Sequence, residues 1–350
     1  SMTDRVIEIH LGAPRPNLLS LLAQPEMAIV RGGVGSGPFV LSPQRGPKGE
    51  LRLTRRVPKG EDETPRSEEV LLAGAAADEA VKSFAAGTAD LVLGGTFADL
   101  PTAQHTKLPR GSLRFDPASG LFGLVPTKTG GPLDKADVRK LLSQAIDREA
   151  LIAALAVPNL TARTTLLEPG LDGIPTPPVP AWAGTAVAQR RPGLVAQANK
   201  LFGTNKPVIR VALPDAPGAA ILFDELQRDW SALGLAVERA PSAASADFVL
   251  IDEVAPSASA AWFVRRFRCG AVAVCDNEID QLVEAARQTP VPAQRYALIA
   301  QAAGRIEDAQ LFIPITAPVR WSLVSRRIVG FAGNRFARHT LTDLEQSAGD

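Results

Sequence analysis

The sequence predicts an α/β protein with two domains, and three observations support this prediction. Apolar strand patterns alternate with amphipathic helix patterns along most of the chain, as in the run over residues 69–94. A helix pattern over residues 219–233 is followed at once by a strand pattern over 235–238, the step typical of a parallel sheet. The length of 350 residues is typical of two domains.

The composition excludes several classes of protein. The net charge of +1 creates no long-range field, so a partner such as nucleic acid or an acidic membrane surface is not expected. No apolar run reaches the roughly 18 residues that a membrane span needs. No signal peptide opens the sequence, and Ser1 and Met2 are interpreted as a remnant of recombinant expression, so we expect that a leader has been removed.

Periodicity predicts the remaining elements. Apolar alternation or short apolar runs predict strands at 4–12, 51–56, 69–72, 90–93, 121–125, 208–213, 247–252 and 312–315. Apolar residues at three- and four-residue steps predict helices at 15–23, 78–87, 194–202, 276–286 and 295–308. A polar loop is expected at 59–69. The glycines of residues 32–37 are followed by Pro38 and an extended segment, so they predict a structural turn and not a phosphate-binding loop.

The most regular helix pattern runs from Gly130 to Leu155. Its apolar residues form one stripe, and its charged residues occupy the opposite face. Pro132 and Asp134 mark the start, and Asp134 is expected to accept a hydrogen bond from the backbone N–H of Asp137. The pattern therefore predicts one long helix that packs on one side.

The residue pattern of this segment resembles a segment of a known family. PLDKADVRKLLSQAIDREALI, at 132–152, is similar to a segment of the family 5 extracellular solute-binding proteins, which bind dipeptides, oligopeptides or nickel for ABC importers. Further segments resemble the family in the order in which the family has them. They lie at 35–39 and 69–94, before this segment, and at 276–286 and 295–315, after it. The resemblance begins at about the middle of the family's first lobe, so an N-terminal segment and an accessory subdomain of the family have no counterpart in it.

The resemblance implies a two-lobe fold of the periplasmic-binding-protein type II, similar to cluster C, with a hinge of two strand crossings. Lobe one would comprise residues 1–125 plus 316–350, and lobe two residues 126–315. It also implies an exported, periplasmic and monomeric receptor that captures a peptide or similar small polar solute without a cofactor. Such a receptor delivers its ligand to an ABC permease in the membrane. The alternative is a ligand-sensing or scaffold module of the same fold with a reduced site.

The resemblance also points to a binding residue. The family carries W-x-x-D-Y-x-D-P, and aligning Pro256 with its proline places Asp252 on the acid that pairs with the ligand's amino group. Val249, Glu253 and Ala255 depart from the motif. Independently, Asp252 ends a buried strand, where open α/β sheets bind ligands. The alternative is a surface aspartate that caps the next helix.

Three arginines beside aromatic residues form a second candidate. Arg265 or Arg268 could bind a ligand carboxylate, with Glu253 nearby and Trp262 and Trp182 shaping the cleft. The alternative is a solvated surface patch. The glycine- and proline-rich run at 166–182 resembles a family segment near the ligand cleft.

Catalytic and metal signatures are missing from the sequence. The three histidines are isolated, and no G-x-S-x-G elbow occurs, so we expect no enzyme and no metal site. Cys269 and Cys275 could close a small disulfide loop in an exported protein, or remain reduced thiols in a cytosolic one.

Overall fold

The computed structural model describes residues 6–12, 18–32, 34–57 and 66–346. The strands of this part of the chain are β1 Val40–Leu41, β2 Leu51–Val57, β3 Arg66–Leu72, β4 Leu91–Thr96, β5 Leu113–Phe115, β6 Gly120–Pro126, β7 Val208–Ala212, β8 Ala236–Arg239, β9 Phe248–Val254, β10 Ile313–Thr316, β11 Arg320–Val324, β12 Ile328–Val329 and β13 Glu345–Gln346. The α-helices are α1 Leu18–Leu22, α2 Ala77–Ala85, α3 Leu100–His105, α4 Ala136–Ala145, α5 Arg148–Leu155, α6 Val187–Phe202, α7 Pro217–Ser231, α8 Ala260–Arg265, α9 Asn277–Gln288 and α10 Pro292–Asp308.

The strands of the described residues form four sheets, and the two that contribute to the apolar core are called the main sheets. The largest has the order β10-β6-β9-β7-β8, in which β7 runs parallel to β8 and β9 and the other pairs are antiparallel. The second has the order β4-β11-β5 and is antiparallel. Strands β1, β2 and β3 form a separate antiparallel sheet, and β12 pairs with β13. The predicted parallel step between β7 and β8 is therefore confirmed.

Two chain segments cross between the main sheets. Residues 116–119 connect β5 of the three-stranded sheet to β6 of the five-stranded sheet, and residues 317–319 connect β10 to β11 in the return direction. This arrangement confirms the predicted α/β fold with two strand crossings. The lobe boundaries at 125 and 316 remain a proposal, and we now place the first within residues 116–119, because β6 pairs only with strands of the second lobe.

The five-stranded sheet carries an apolar cluster on each face. On one face, Phe122 packs with helices α4 to α7, and this cluster continues to Phe97 and Trp321 of the other sheet region. The rings of Phe97 and Phe122 meet edge to face with centroids 4.8 Å apart. On the other face, Leu121 packs with Phe263 and the helices α8 to α10. Because Leu121 and Phe122 are neighbours on β6, they point to opposite faces.

The prediction of one helix from Gly130 to Leu155 is wrong, because the segment is divided into a short 3₁₀ turn, α4 and α5. The side chain of Asp134 accepts a hydrogen bond from the Gly130 N–H at 2.6 Å, and not from Asp137. At the second break, the Asp147 N–H donates to the Asp229 carboxylate at 2.7 Å, and the Asp147 side chain caps α5. A capping aspartate with a tertiary partner therefore ends the regular helix.

The two arginines of this segment have structural roles. Arg139 is 3% exposed and donates to the carbonyl oxygens of Leu133, Ala309 and Gln310, which attaches α4 to the end of α10. Arg148 is 4% exposed, and its Nε donates to the Pro314 carbonyl oxygen of β10 at 2.8 Å. These contacts explain why the segment contains arginines on a helix face that sequence periodicity assigns to solvent.

Other expectations differ from the structure near the N-terminus. Residues 6–12 form no strand beyond an isolated bridge at Ile7, because their alternating apolar side chains stay exposed and find no neighbouring sheet among the described residues. Residues 4–5 of the predicted first strand, 15–17 of the predicted first helix and 59–65 of the predicted loop lie outside the described residues. Arg66 already begins β3, and the helix expected at 194–202 starts earlier, at Val187.

Candidate functional site at the strand crossings

A cavity of about 310 Å³ lies beside the first crossing. Its walls are residues 117–119 of the crossing, the segment 163–169 that follows α5, and Arg335 near the C-terminus. The cavity therefore brings together a segment that leaves one main sheet, a loop of the helical layer on the other sheet, and the tail that follows β11.

Backbone hydrogen bonds fix these walls. The Ser119 N–H donates to the Arg335 carbonyl oxygen at 2.8 Å, and the Ala255 N–H donates to the Ser119 carbonyl oxygen at 2.8 Å. The Arg163 N–H donates to the Ile315 carbonyl oxygen at 2.9 Å. The tail is also attached by Asp116, whose Oδ1 accepts from the Asn334 N–H at 2.9 Å. The walls of the cavity are therefore attached to one another and to the ends of β9 and β10.

A buried carboxylate lines the cavity. Glu168 is 7% exposed and contacts the Ser119 hydroxyl, which donates to it, and the guanidinium of Arg163. The Nη2 of Arg335 lies 3.5 Å from Glu168 Oε1. Burial raises the pKa of Glu168, and the two guanidinium charges oppose this. Burial also lowers the pKa of Arg163. Two cations around one acid give the cluster a formal charge of +1 when all three are ionised.

Asp252, the predicted binding acid, lies near the same crossing but is paired within the protein. Arg320 Nη1 donates to both carboxylate oxygens of Asp252, at 2.7 and 3.0 Å, and Arg320 Nη2 donates to the Asp252 carbonyl oxygen at 3.1 Å. Burial raises the pKa of Asp252 and the charge of Arg320 opposes this. Because Asp252 belongs to β9 and Arg320 to β11, this ion pair connects the two main sheets.

The other candidates from β9 and α8 lie on the opposite face of the five-stranded sheet. Glu253 follows Asp252 on the strand, so it points to the other face and contacts Arg266 of α8. Trp262 packs edge to face on Phe263. Arg268 Nε lies 3.9 Å from Asp280, and Arg265 is exposed. Arg265 has no charged neighbour within the part of the chain that the structure describes.

Trp182 lies in a third place. Its ring is beneath the guanidinium groups of Arg190 and Arg148, at 4.9 and 5.4 Å from the ring centroid. The structure therefore does not bring the six predicted ligand-binding residues together, and none of them lines the 310 Å³ cavity. Cys269 and Cys275 form a disulfide with Cα atoms 5.2 Å apart, and it closes the short loop after α8.

Sequence reasoning missed the residues that form the cavity, which are Ser119, Arg163, Glu168 and Arg335. Among the sequence observations, only the expected position of residues 166–182 near the ligand cleft pointed to this cavity. In the described residues, no helix is long and apolar enough to cross a membrane, and no group of three His, Cys, Asp or Glu side chains could hold a metal ion.

A model of the bacterial extracellular solute-binding proteins, family 5 Middle, matches residues 2–258. The dipeptide-binding protein of Pseudomonas aeruginosa is 24% identical over an alignment of 340 positions, which covers 87% of this chain and 60% of that protein. This chain therefore spans about 60% of the length of the curated relative that it matches.

Solved structures share the fold at low identity. The murein tripeptide binding protein MppA of Escherichia coli has a TM-score of 0.74 and 15% identity, over 96% of this chain and 72% of that chain. OppA of Haemophilus influenzae, in a crystal structure of its complex with RPPGFSPFR, has a TM-score of 0.73 and 16% identity, with the same shares covered. The matched proteins are binding proteins and not enzymes.

Proposed function

Because the chain belongs to the family 5 bacterial extracellular solute-binding proteins, which serve ABC importers, we propose that it binds a peptide or similar small polar solute at the two strand crossings. The family match over most of the chain carries this proposal. The binding class and the extracellular or periplasmic setting are those of the family. The solute itself and its delivery to an ABC permease belong to the proposal.

The position of the cavity supports binding between lobes. Its walls come from both sides of the first crossing, so a solute placed there would contact both lobes at once. A ligand that contacts both halves of a hinged protein favours the closed arrangement over the open one. Closure around a solute is the change that a permease would recognise, and in this proposal the protein acts as a monomer in the periplasm.

The six residues expected from the sequence enter the proposal in different ways. A solute ammonium would have to compete with Arg320 for Asp252, because the arginine occupies the same carboxylate. Glu253, Trp262, Arg265 and Arg268 would contribute only to a second surface near α8. Trp182 would act indirectly, by packing on Arg148 and Arg190. The sensing or scaffold alternative is not carried further.

A thermal-shift screen tests the proposal. The purified protein is melted with di- to pentapeptides, opines, nickel chelates and oligosaccharides. A solute at a hundredfold excess over its Kd stabilises the folded state by about 2.7 kcal/mol. With an unfolding entropy of about 2.1 cal/mol/K per residue, this raises the Tm of a 350-residue protein by about 4 °C.

Two variants sharpen this screen. Asp252→Asn should weaken the response to a solute that carries an ammonium group, because the carboxylate charge is lost. The control Asp224→Asn changes an exposed carboxylate on α7 and should keep the wild-type response. A cooperatively melting protein with no Tm change for any solute class would contradict the proposed function.

A further inference from the structure

A second cavity, of about 420 Å³, lies at the end of the three-stranded sheet that is remote from the crossings. At this end the Val324 N–H of β11 donates to the Ser112 carbonyl oxygen at 2.9 Å. The next residue, Ser325, donates its N–H to the Asp90 carbonyl oxygen at 2.9 Å. Arg320 begins β11 beside the crossings, and four residues of strand place Val324 about 13 Å further along. A ligand in this cavity would therefore contact one lobe only.

Three arginines line this cavity, and two of them have no ionic partner. Arg327 Nη2 lies 2.6 Å from Asp90 Oδ1, which compensates its charge. Arg110 and Arg326 are exposed, and neither side chain forms an ion pair or a hydrogen bond within the described residues. Ser325 Oγ accepts the Arg327 N–H at 3.3 Å and keeps its own hydroxyl hydrogen for another acceptor. The cavity therefore has a formal charge of +2 and spare donors.

The remaining walls are largely apolar and include Phe84, Ala85, Pro109 and Val324. The volume lies within the range of about 300–1,000 Å³ that is typical of small-molecule sites. An inorganic ion would fill little of this space. The cavity therefore fits a ligand that combines an anionic group with a small organic part.

The C-terminal end of α2 also borders this cavity, and the helix dipole places about half a negative charge there. Hydrogen bonds cap part of this end. The Lys82 carbonyl oxygen accepts the Ala86 N–H at 2.9 Å. The Phe84 carbonyl oxygen accepts the Gly87 N–H at 3.0 Å. Because half a negative charge is small against two guanidinium charges, the cavity remains attractive to an anion.

We propose that this cavity binds a phosphate monoester with a small organic group, held by Arg110 and Arg326. A phosphate monoester carries about −1.5 to −2 charges at pH 7, which matches the two unpaired guanidinium groups. Each guanidinium can donate two parallel N–H bonds to phosphate oxygens. A carboxylate would leave one of the two positive charges uncompensated. This inference goes beyond the proposed function, because it requires no solute at the crossings.

Phenyl phosphate and benzoate test the inference, because both contain one aromatic ring and they differ in charge. Each is titrated calorimetrically at neutral pH into wild type and variants. Wild type should bind phenyl phosphate at least about tenfold more tightly than benzoate, as expected for one additional charged hydrogen-bonded pair. Arg110→Gln and Arg326→Gln should each weaken phenyl phosphate about tenfold. The control Arg114→Gln changes an exposed arginine of β5 outside the cavity and should keep the wild-type affinity.

The stability of the variants and a rival variant make the titrations decisive. Because Arg110 and Arg326 have no partner among the described side chains, both substitutions should leave the Tm of the ligand-free protein unchanged. Equal affinity of wild type for phenyl phosphate and benzoate would overturn the inference. If Arg335→Gln and not Arg110→Gln abolishes the binding of phenyl phosphate, the ester binds at the crossings and the inference is also wrong. Neither result would contradict the proposed function.

Vesicles distinguish a soluble ester from a lipid headgroup, because phosphatidic acid carries the same phosphate monoester. Phosphatidylcholine vesicles with and without phosphatidic acid are sedimented with wild type and Arg110→Gln. Binding of phenyl phosphate without such sedimentation assigns a soluble ester to the cavity. Sedimentation that requires both phosphatidic acid and Arg110 assigns a lipid headgroup. If the protein neither binds phenyl phosphate nor sediments with phosphatidic acid, the inference is overturned.

Discussion

Replacing Arg148 by methionine tests the structural role of the family segment most sharply. The guanidinium is buried in the second lobe and donates to the carbonyl oxygens of Pro314 and Ser143 at 2.8 and 2.9 Å, and to the Ser143 hydroxyl at 3.1 Å. Burial lowers the pKa of Arg148 to about 9, with a smaller contribution from the charge of Arg190, so the group stays protonated at neutral pH.

The expected cost follows from the acceptors left behind. Methionine keeps the apolar stem but leaves two buried carbonyl groups without this donor, at about 1–3 kcal/mol each. Removing a buried charge returns part of its desolvation cost, so we expect a net loss of about 3 kcal/mol. With an unfolding entropy of about 2.1 cal/mol/K per residue, the Tm of the 350-residue chain should fall by about 4 °C.

Calorimetry or circular dichroism at neutral pH measures this change. Arg148→Lys keeps the charge with fewer donors in a fixed geometry, so its Tm should lie between those of wild type and Arg148→Met. The control Arg326→Met alters an exposed arginine, and its effect should stay within about 0.5 kcal/mol. If Arg148→Met melts within about one degree of wild type, the three hydrogen bonds do not hold α5 to α4 and β10, and the reasoning is refuted.

Three further predictions concern the connections between elements. Arg320→Met should destabilise the protein by roughly 3 kcal/mol, because it leaves the charge of Asp252 unpaired. Adding Asp252→Asn should restore part of this loss in a double-mutant cycle. Additive effects of the two substitutions on the free energy of unfolding would show that the two side chains do not interact. Burial raises the pKa of Glu307, so its contribution to stability is complete below its ordinary pKa and is lost as the pH rises through the raised value. The Tm of wild type minus that of Glu307→Gln should therefore be larger at about pH 5 than at pH 8, and a constant difference would contradict this. A Cβ at Gly218 would lie 1.9 Å from the Phe97 carbonyl oxygen, so Gly218→Ala should separate α7 from this segment, lower the Tm and increase hydrogen exchange at the contact, whereas unchanged exchange would contradict it.

Local pattern was sufficient for most helices and strands of the second lobe. The strand β9 and the helices α9 and α10 have strong periodicity, and their existence follows from residues that are neighbours in sequence. The break between α4 and α5 was not predictable in the same way. It depends on Asp229 of α7, which accepts the Asp147 N–H from more than eighty residues away. The predicted strand does not form over residues 6–12, because alternation requires a partner sheet, which these residues do not have among the described residues.

The residues of the candidate site were also only partly predictable from the sequence. Asp252 could be found because the sequence pattern places it at the end of a strand, although β9 continues to Val254, and the resemblance to a family motif gave it a role. Its partner Arg320 lies 68 positions away, and only the crossing between β10 and β11 brings them together. Arg335 has no local signal at all, because its importance depends on a backbone contact with Ser119 at the other crossing. Ion pairs that depend on sheet order are therefore invisible to a single sequence without a family alignment.

Hydrogen–deuterium exchange with and without the tightest-binding solute of the thermal-shift screen tests the central claim most directly. If a solute binds at the strand crossings, exchange should slow together in three segments, 116–120, 163–169 and 334–336, since all three border the cavity. The helix α8 should keep its exchange rate. Protection confined to α8 and its disulfide loop, or the lack of any protecting solute, would contradict the placement of the binding site at the crossings.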